Sequence, residues 1–213
     1  MAHDEGVVKF QVEFALAPAL AAAEVAELNA WRKMLVRLQW LGQDPSRYGG
    51  YGFGNISRAL PNPAGDRPFL ITGTQTGEIA DLTPEHFVVV DACFPPQNRI
   101  VAHGPVGPSS EAMTHGALYA LDAGIQWVMH GHSPEIWHAA ERLALPTTDA
   151  TVPYGTPEMS AEIERLWRES DVRQRRILSM GGHEDGIVSF GRTANEAFLP
   201  LVDALIAAFM AGS

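Results

Sequence analysis

The residues best suited to chemistry lie in the segment Gly124-Ile-Gln-Trp-Val-Met-His-Gly-His-Ser-Pro134. An apolar run that reads as a strand ends in His130-x-His132, and a helix start follows at Pro134. Side chains two apart on a strand point to one face, so both imidazoles can reach one metal ion at about 2.1 Å from each donor nitrogen. The carboxyl end of a strand is also where open α/β sheets usually hold their sites. Two more segments supply what such a pair lacks. Gly181-Gly182-His183-Glu184-Asp185-Gly186 sets a histidine in a turn with little steric cover. Pro108-Ser109-Ser110-Glu111 brings serine hydroxyls and backbone amides to a helix start, a natural anion site with a carboxylate at its boundary. Three neutral imidazoles with a carboxylate nearby, and room left for substrate oxygens, make a catalytic zinc-type set.

The composition narrows that chemistry. The 213 residues contain only two lysines, Lys9 and Lys33, and Lys33 falls on the charged side of a helical pattern. A Schiff-base enzyme needs a lysine in its site, so pyridoxal and imine-forming chemistry is a poor fit, and carbon–carbon or enolate chemistry here calls for a metal as electron sink. Gly50-x-Gly52-x-Gly54 lacks the third glycine and the leading strand of a dinucleotide loop, and no Gly-Lys pair exists for a phosphate-binding loop. No Gly-x-Ser-x-Gly elbow anchors a hydrolase triad. Cys93, the single cysteine, reads as a small apolar residue, excludes an internal disulfide and fits a reducing compartment. Twenty-five acids against fifteen bases give a net charge of −10, which argues against a nucleic-acid partner. The apolar stretch 14–23 follows Asp4, Glu5 and Glu13, the wrong sign for a signal peptide, and Glu24 and Glu27 end it well short of the roughly 20 residues a membrane span needs. The expectation is a soluble, cytoplasmic protein with no membrane partner.

The elements that must position these residues are legible as patterns. Val25, Leu28, Trp31, Leu35 and Leu38 recur at helical spacing and predict a helix over about 20–41, with Arg32, Lys33 and Arg37 mostly set apart from the apolar stripe. A glycine-rich stretch, 47–57, follows. Short apolar runs at 68–72, 87–91 and 125–129 predict strands, and 111–121 and 134–145 predict helices. Thr156-Pro157 is a helix start, 177–180 and 187–190 read as a closing strand pair, and Thr193-x-x-Glu196 opens a last helix running to about Met210. No repeat or linker interrupts the chain. The prediction is one α/β domain over 1–213, a three-layer α/β/α sandwich, with 1–20 as an extended N-terminal segment. Of the remaining histidines, His86 is expected exposed at a strand start, His103 in a loop near the anion motif, His115 behind Glu111 on one helix face, and His138 in a structural role.

Six short motifs then fall in one order: Gly54-Asn55-Ile56-Ser57, Ile71-Thr72 with Thr76-Gly77, Pro108-Ser109-Ser110-Glu111, His130-Gly131-His132-Ser133-Pro134, Tyr154-Gly155-Thr156 and Gly182-His183. In this series, which spans roughly residues 25–210, the chain resembles the class II aldolase/adducin family. The resemblance implies a mainly antiparallel central sheet and a homotetramer with sites at its interfaces. It implies one divalent metal ion per subunit, zinc foremost, on His130, His132 and His183, with Glu111 as the acid/base. Asn55, Ser57, Thr76, Gly77, Ser109 and Ser110 would bind the substrate's phosphate or equivalent anion, and Tyr154 would reach a neighbouring subunit's site as proton donor. Two departures bear on the substrate. The turn Thr72-Gly-Thr-Gln-Thr-Gly77 is longer than the family's, so Thr74 is a candidate to replace Thr76, and Glu184-Asp185 adds negative charge beside His183. Arg58 is the one basic residue inside the motifs, so a hydroxy-keto acid or a neutral keto sugar fits about as well as a sugar phosphate. The expected function is a metal-dependent lyase that makes or breaks a carbon–carbon bond through an enediolate. An epimerase, dehydratase or decarboxylase would use the same groups, whereas a non-catalytic adducin-like assembly module should have lost the metal ligands.

Overall fold

Successive residues in these apolar runs face opposite sides, and both sides are buried. Phe87 and Val89 belong to one core cluster while Val88 and Val90 belong to another; Leu70 divides in the same way from Phe69 and Ile71. A strand reads as an unbroken apolar run when helices cover both faces of its sheet. The computed structural model, which describes residues 7–61 and 67–212, has that architecture.

The described strands are β1 (Gln11–Leu16), β2 (Gly42–Gln43), β3 (Gly52–Phe53), β4 (Asn55–Ala59), β5 (Phe69–Thr72), β6 (Phe87–Phe94), β7 (Arg99–Gly104), β8 (Trp127–His132), β9 (Ile177–Ser179) and β10 (Gly186–Gly191). The helices are α1 (Ala22–Arg37), α2 (Ala112–Leu121), α3 (Pro134–Ala139), α4 (Pro157–Glu169), α5 (Val172–Arg175) and α6 (Ala194–Gly212). Eight strands form one sheet in the order β1-β7-β6-β5-β4-β8-β10-β9, and β2 and β3 pair separately. Every neighbouring pair in the large sheet is antiparallel except β1 with β7, so the sheet is mainly antiparallel as expected. Helices α2 and α4 cover one face, through Met113, Leu118, Met159 and Ile163; α1, α3 and α6 cover the other, through Leu28, Ile136 and Leu201.

Local signals hold where they are strong. Thr156 caps α4 by accepting from the Met159 N–H, and Thr193 accepts from the Glu196 N–H at the start of α6. Helix α1 stops at Arg37, four residues early, because Gln39 turns to a φ of 58°. Helix α3 is likewise shorter than predicted and ends at Ala139. Three sheet strands escape the pattern. β1 is mostly exposed, while β4 and β7 carry polar residues such as Asn55, Arg58 and Arg99, so none shows a clean apolar period. His103 therefore lies on β7, its Nδ1 2.8 Å from Asp91 Oδ2, and not in a loop beside the anion motif. Helix α6 is long and apolar enough to cross a membrane by length and composition alone, yet Ala197, Leu201 and Ala204 bury one side of it in the protein core.

Candidate active site

The register around β8 builds the site. Asn55 on β4 pairs with His130, and Gly186 on β10 pairs with His132. Val128 is in the core under α2, and the two-residue period carries His130 and His132 to that same side. The turn leading into β10 returns His183 to them, closed by His183 N–H donating to Met180 O at 3.1 Å and Gly186 N–H donating to His183 O at 2.9 Å. All three histidines are buried, and one donor nitrogen from each lies within 4.8 Å of the others. His132 Nε2 and His183 Nε2 stand 3.0 Å apart. His130 Nδ1 lies 3.1 Å from the Ile187 carbonyl, which can only accept, so Nδ1 carries the proton. Its Nε2 lone pair is left buried with no hydrogen-bond partner. Burial pushes His130 down to about 4, and His132 and His183 well below the ordinary histidine range. Neutral imidazoles converging in this way are a ready ligand set for a divalent ion.

Glu111 stands at the start of α2, almost fully buried. Thr114 Oγ1 donates to its Oε2 at 2.6 Å; its Oε1 lies 3.7 Å from His183 Nε2 and has no hydrogen-bond partner. Burial lifts the carboxyl to about 7, against the opposing pull of the Thr114 hydroxyl and the Lys9 charge. A carboxyl poised near neutrality suits a group that takes and returns protons.

Tyr154 joins the same site from its own chain. Gly155 has a φ of +66°, and a Cβ there would lie 2.5 Å from Ser110 O, so only glycine lets the chain close this tightly over the Ser110–Glu111 turn. The Tyr154 ring is buried with its centroid 4.5 Å from that of His183, and its hydroxyl accepts from the Val7 N–H at 3.1 Å. Within its own chain, the tight turn and the N-terminal segment hold the ring against His183.

Asn55, Thr74, Thr76, Gly77, Ser109 and Ser110 line one cleft, adjoining the metal-type cluster through Asn55 and Ser110. Thr74 and Thr76 both line it. Thr76 Oγ1 donates to Gly73 O at 3.0 Å, and Thr74 N–H donates to Gly107 O at 2.9 Å, folding the lengthened turn. A Cβ on Gly77 would lie 2.5 Å from Gly42 O, so that position admits no side chain. Behind the turn sits Arg32, fully buried rather than on a solvated helix face, donating to Thr76 O at 2.8 Å; burial lowers its guanidinium to about 10. Ser57 does not line the cleft. Two residues farther along β4, its Oγ lies 2.6 Å from His115 Nδ1 and 2.7 Å from Tyr119 OH, beneath α2. Ser57 is therefore corrected from a substrate contact to a core hydrogen-bonding residue, and His115 backs it rather than Glu111.

Three residues near the site carry no functional signal in the sequence pattern. Arg32 reads there as part of a charged helix face. Tyr48, within the glycine-rich stretch, packs its ring 4.5 Å from that of His132 and donates to Asp185 Oδ2 at 2.6 Å, while Arg47 Nη2 donates to the Tyr48 hydroxyl at 2.6 Å. The Asp185 charge is thus tied into a latch across the His183 turn. Lys9 reaches Tyr154 from the N-terminal segment, its Nζ 3.6 Å from the ring centroid; nothing in its local sequence signals this.

The same fold occurs in solved proteins. The solved L-fuculose-1-phosphate aldolase from Thermus thermophilus matches with a TM-score of 0.65 at 18% identity, over 90% of this chain and 93% of that one. A sugar-phosphate aldolase from Thermotoga maritima gives 0.62 at 14% identity, over 88% and 93% of the two chains. The N-terminal class II aldolase domain of a conserved protein from Thermoplasma acidophilum gives 0.60 at 15%, over 92% and 97%. At these identities the likeness shows a shared fold. A search of curated proteins found no match. The family model described as Class II Aldolase and Adducin N-terminal domain matches residues 45–204, and the chain belongs to that family.

Proposed function

We propose that the protein is a divalent-metal-dependent lyase, zinc foremost, that makes or breaks a carbon–carbon bond in a small hydroxy-carbonyl compound. The observation that carries this reading is the buried convergence of His130, His132 and His183 beside the unpartnered Oε1 of Glu111. The donor set fits such an ion: the imidazoles favour their neutral form, and the His130 Nε2 lone pair has no other use among the described residues. When bound, the ion supplies a Lewis acid for negative charge developing on adjacent hydroxyl and carbonyl oxygens. Glu111 moves the substrate proton at Oε1, with Oε2 held by Thr114. Ser109, Ser110, Asn55, Thr74, Thr76 and Gly77 hold the anionic end of the substrate in the cleft. Tyr154 is the second proton donor, and its buried ring keeps water from that side of His183. Epimerase, dehydratase and decarboxylase chemistry would draw on the same groups. Retention of all three imidazoles and Glu111 argues against a purely structural, adducin-like role. The reading includes a homotetramer, after the family, and a cytoplasmic setting, supported by a single cysteine whose thiol burial pushes up to about 12.

Metal analysis of untagged protein tests the site. About one divalent ion per chain is expected, lost in His130→Ala; a content near zero after gentle purification overturns it. The reaction is tested by aldehyde release from hydroxy-keto acids and keto-sugar phosphates, which Glu111→Gln should slow by about 10³-fold. A product of unchanged carbon number would point instead to epimerisation or dehydration.

A further inference from the structure

The chain carries its arginines unevenly. Five of the thirteen fall between Arg165 and Arg176, and Arg192 follows directly on β10. Packing brings Arg173, Arg176 and Arg192 to the wall of one cavity of about 500 Å³. This cavity lies at the opposite end of the strands from the histidines. Gly191 on its wall pairs with Trp127, whereas Gly186 at the other end of β10 pairs with His132, about 17 Å of strand away. It shares no residue with the anion cleft of Asn55, Thr74, Thr76, Ser109 and Ser110.

The acids on this wall are already engaged. Glu196 Oε2 pairs with Arg176 Nη1 at 3.1 Å and accepts from the Arg192 N–H at 3.1 Å; Asp122 Oδ1 accepts from the Gly124 N–H at 2.7 Å. Arg173 donates from Nε to the Trp167 carbonyl at 2.8 Å, with its guanidinium 5.0 Å from the indole centroid. Among the described residues, neither Nη of Arg173 nor any side-chain nitrogen of Arg192 has a hydrogen-bond or ion-pair partner. The floor is apolar, with Ile125 and Phe190 buried and the Trp167 ring centroid 5.7 Å from that of Phe190. Gly124 keeps the space beside Arg192 clear, since a Cβ there would lie 3.4 Å from Arg192 Nε and 3.1 Å from Asp122 Oδ1.

A guanidinium presents paired N–H groups that match phosphate and carboxylate oxygens. A carboxylate fills one such fork, whereas a phosphomonoester offers three peripheral oxygens and nearly two charges, enough for two forks. The volume falls in the range of about 300–1,000 Å³ usual for small-molecule sites, and the apolar floor suits an organic body. We propose that this cavity is a second ligand site, separate from the histidine cluster, for a phosphomonoester. Its phosphate is held by Arg173 and Arg192, and its body rests on the floor beside Trp167. The site stands independently of the lyase reading.

Calorimetry on the full-length chain tests this with AMP, ribose 5-phosphate and uncharged adenosine, with tryptophan fluorescence followed on the same samples. Arg173→Gln and Arg192→Gln should each weaken binding of the phosphates about tenfold. Arg37→Gln, which removes an equal charge from an exposed position on α1, should stay within about twofold. Adenosine should bind at least about tenfold more weakly than AMP, and Trp167→Phe should abolish the fluorescence change that the phosphates produce. Tighter binding of AMP assigns a nucleotide body, and equal binding of the two phosphates assigns the phosphate group on any organic body; both support the proposal. Phosphate binding that is unchanged in both arginine variants belongs to the anion cleft and overturns this site. Absence of binding up to about 10 mM, or adenosine binding as tightly as AMP, overturns it as well. None of these readouts requires metal or turnover, so their failure is distinct from a failure of the lyase reading.

Discussion

Glu111 owes its character to what surrounds each oxygen. Thr114 satisfies Oε2, burial raises the carboxyl to about 7, and Oε1 is left without a partner. A step that needs the carboxylate speeds up as pH rises through that value. The Thr114 hydroxyl lowers the pKa, so Thr114→Val should move the acidic limb of the pH profile of kcat/KM to higher pH; a limb that stays put would show that Glu111 does not set it. Ser57 belongs to the same scale. Ser57→Ala strips a buried hydroxyl from both His115 and Tyr119 and should cost about 1–3 kcal/mol in urea denaturation. Its KM should be unchanged; a raised KM with intact stability would return Ser57 to the substrate.

At the scale of elements, the site depends on loops held from behind. Arg32 on α1 supports the turn through Thr76 from a position that admits no solvent. Arg32→Ala would leave the Thr76 carbonyl with only the longer bond from the Ile79 N–H and open a cavity, a loss of about 3 kcal/mol in stability from the denaturant midpoint, with weaker anion binding in the cleft. An unshifted midpoint would remove Arg32 from that role. The latch from Tyr48 to Asp185 ties the glycine-rich stretch to the His183 turn while its ring abuts His132. Tyr48→Phe keeps the ring and deletes the hydroxyl. It should weaken zinc binding about tenfold in a chelator competition with little change in secondary structure, as expected when a group that orients a ligand is lost.

For the whole molecule, burying so many neutral imidazoles makes stability depend on pH. His115, His130, His132 and His183 all have lowered values in the folded chain, His130 to about 4, while unfolded histidines protonate near 6.5. Below about 6.5 the unfolded chain takes up protons that the folded chain refuses, which favours unfolding by up to about 1.4 kcal/mol per imidazole for each pH step. Glu111 acts in the opposite sense between about 4.5 and 7, since its unfolded form ionises first, but one carboxyl is outweighed by four imidazoles. Denaturation in the presence of chelator should therefore show stability falling steeply from pH 6.5 to 4.5; a flat profile would contradict the burial of neutral histidines. Assembly is a separate matter of this scale, and sedimentation velocity should find a tetramer. A monomer that persists across concentrations would refute that part of the proposal.

The sequence alone determined the features that depend on neighbours in the chain. His130 and His132 share a face because strand geometry repeats every two residues, and Thr156 and Thr193 cap helices within a single turn of their own positions. Glu111 was legible because it follows two serines at a helix start. The tertiary structure decided everything set by burial and by strand pairing. Arg32 sits at a helical position whose environment depends on a turn more than 40 residues away. Ser57 shares the face of Asn55, yet lies under α2 instead of in the cleft. Tyr154 turns inward because Gly155 meets Ser110. Lys9, remote from every motif, arrives because an edge strand with no clean apolar period finds its register on β7. Local periodicity records which side a residue takes, whereas the partner waiting there is fixed only when distant segments pack.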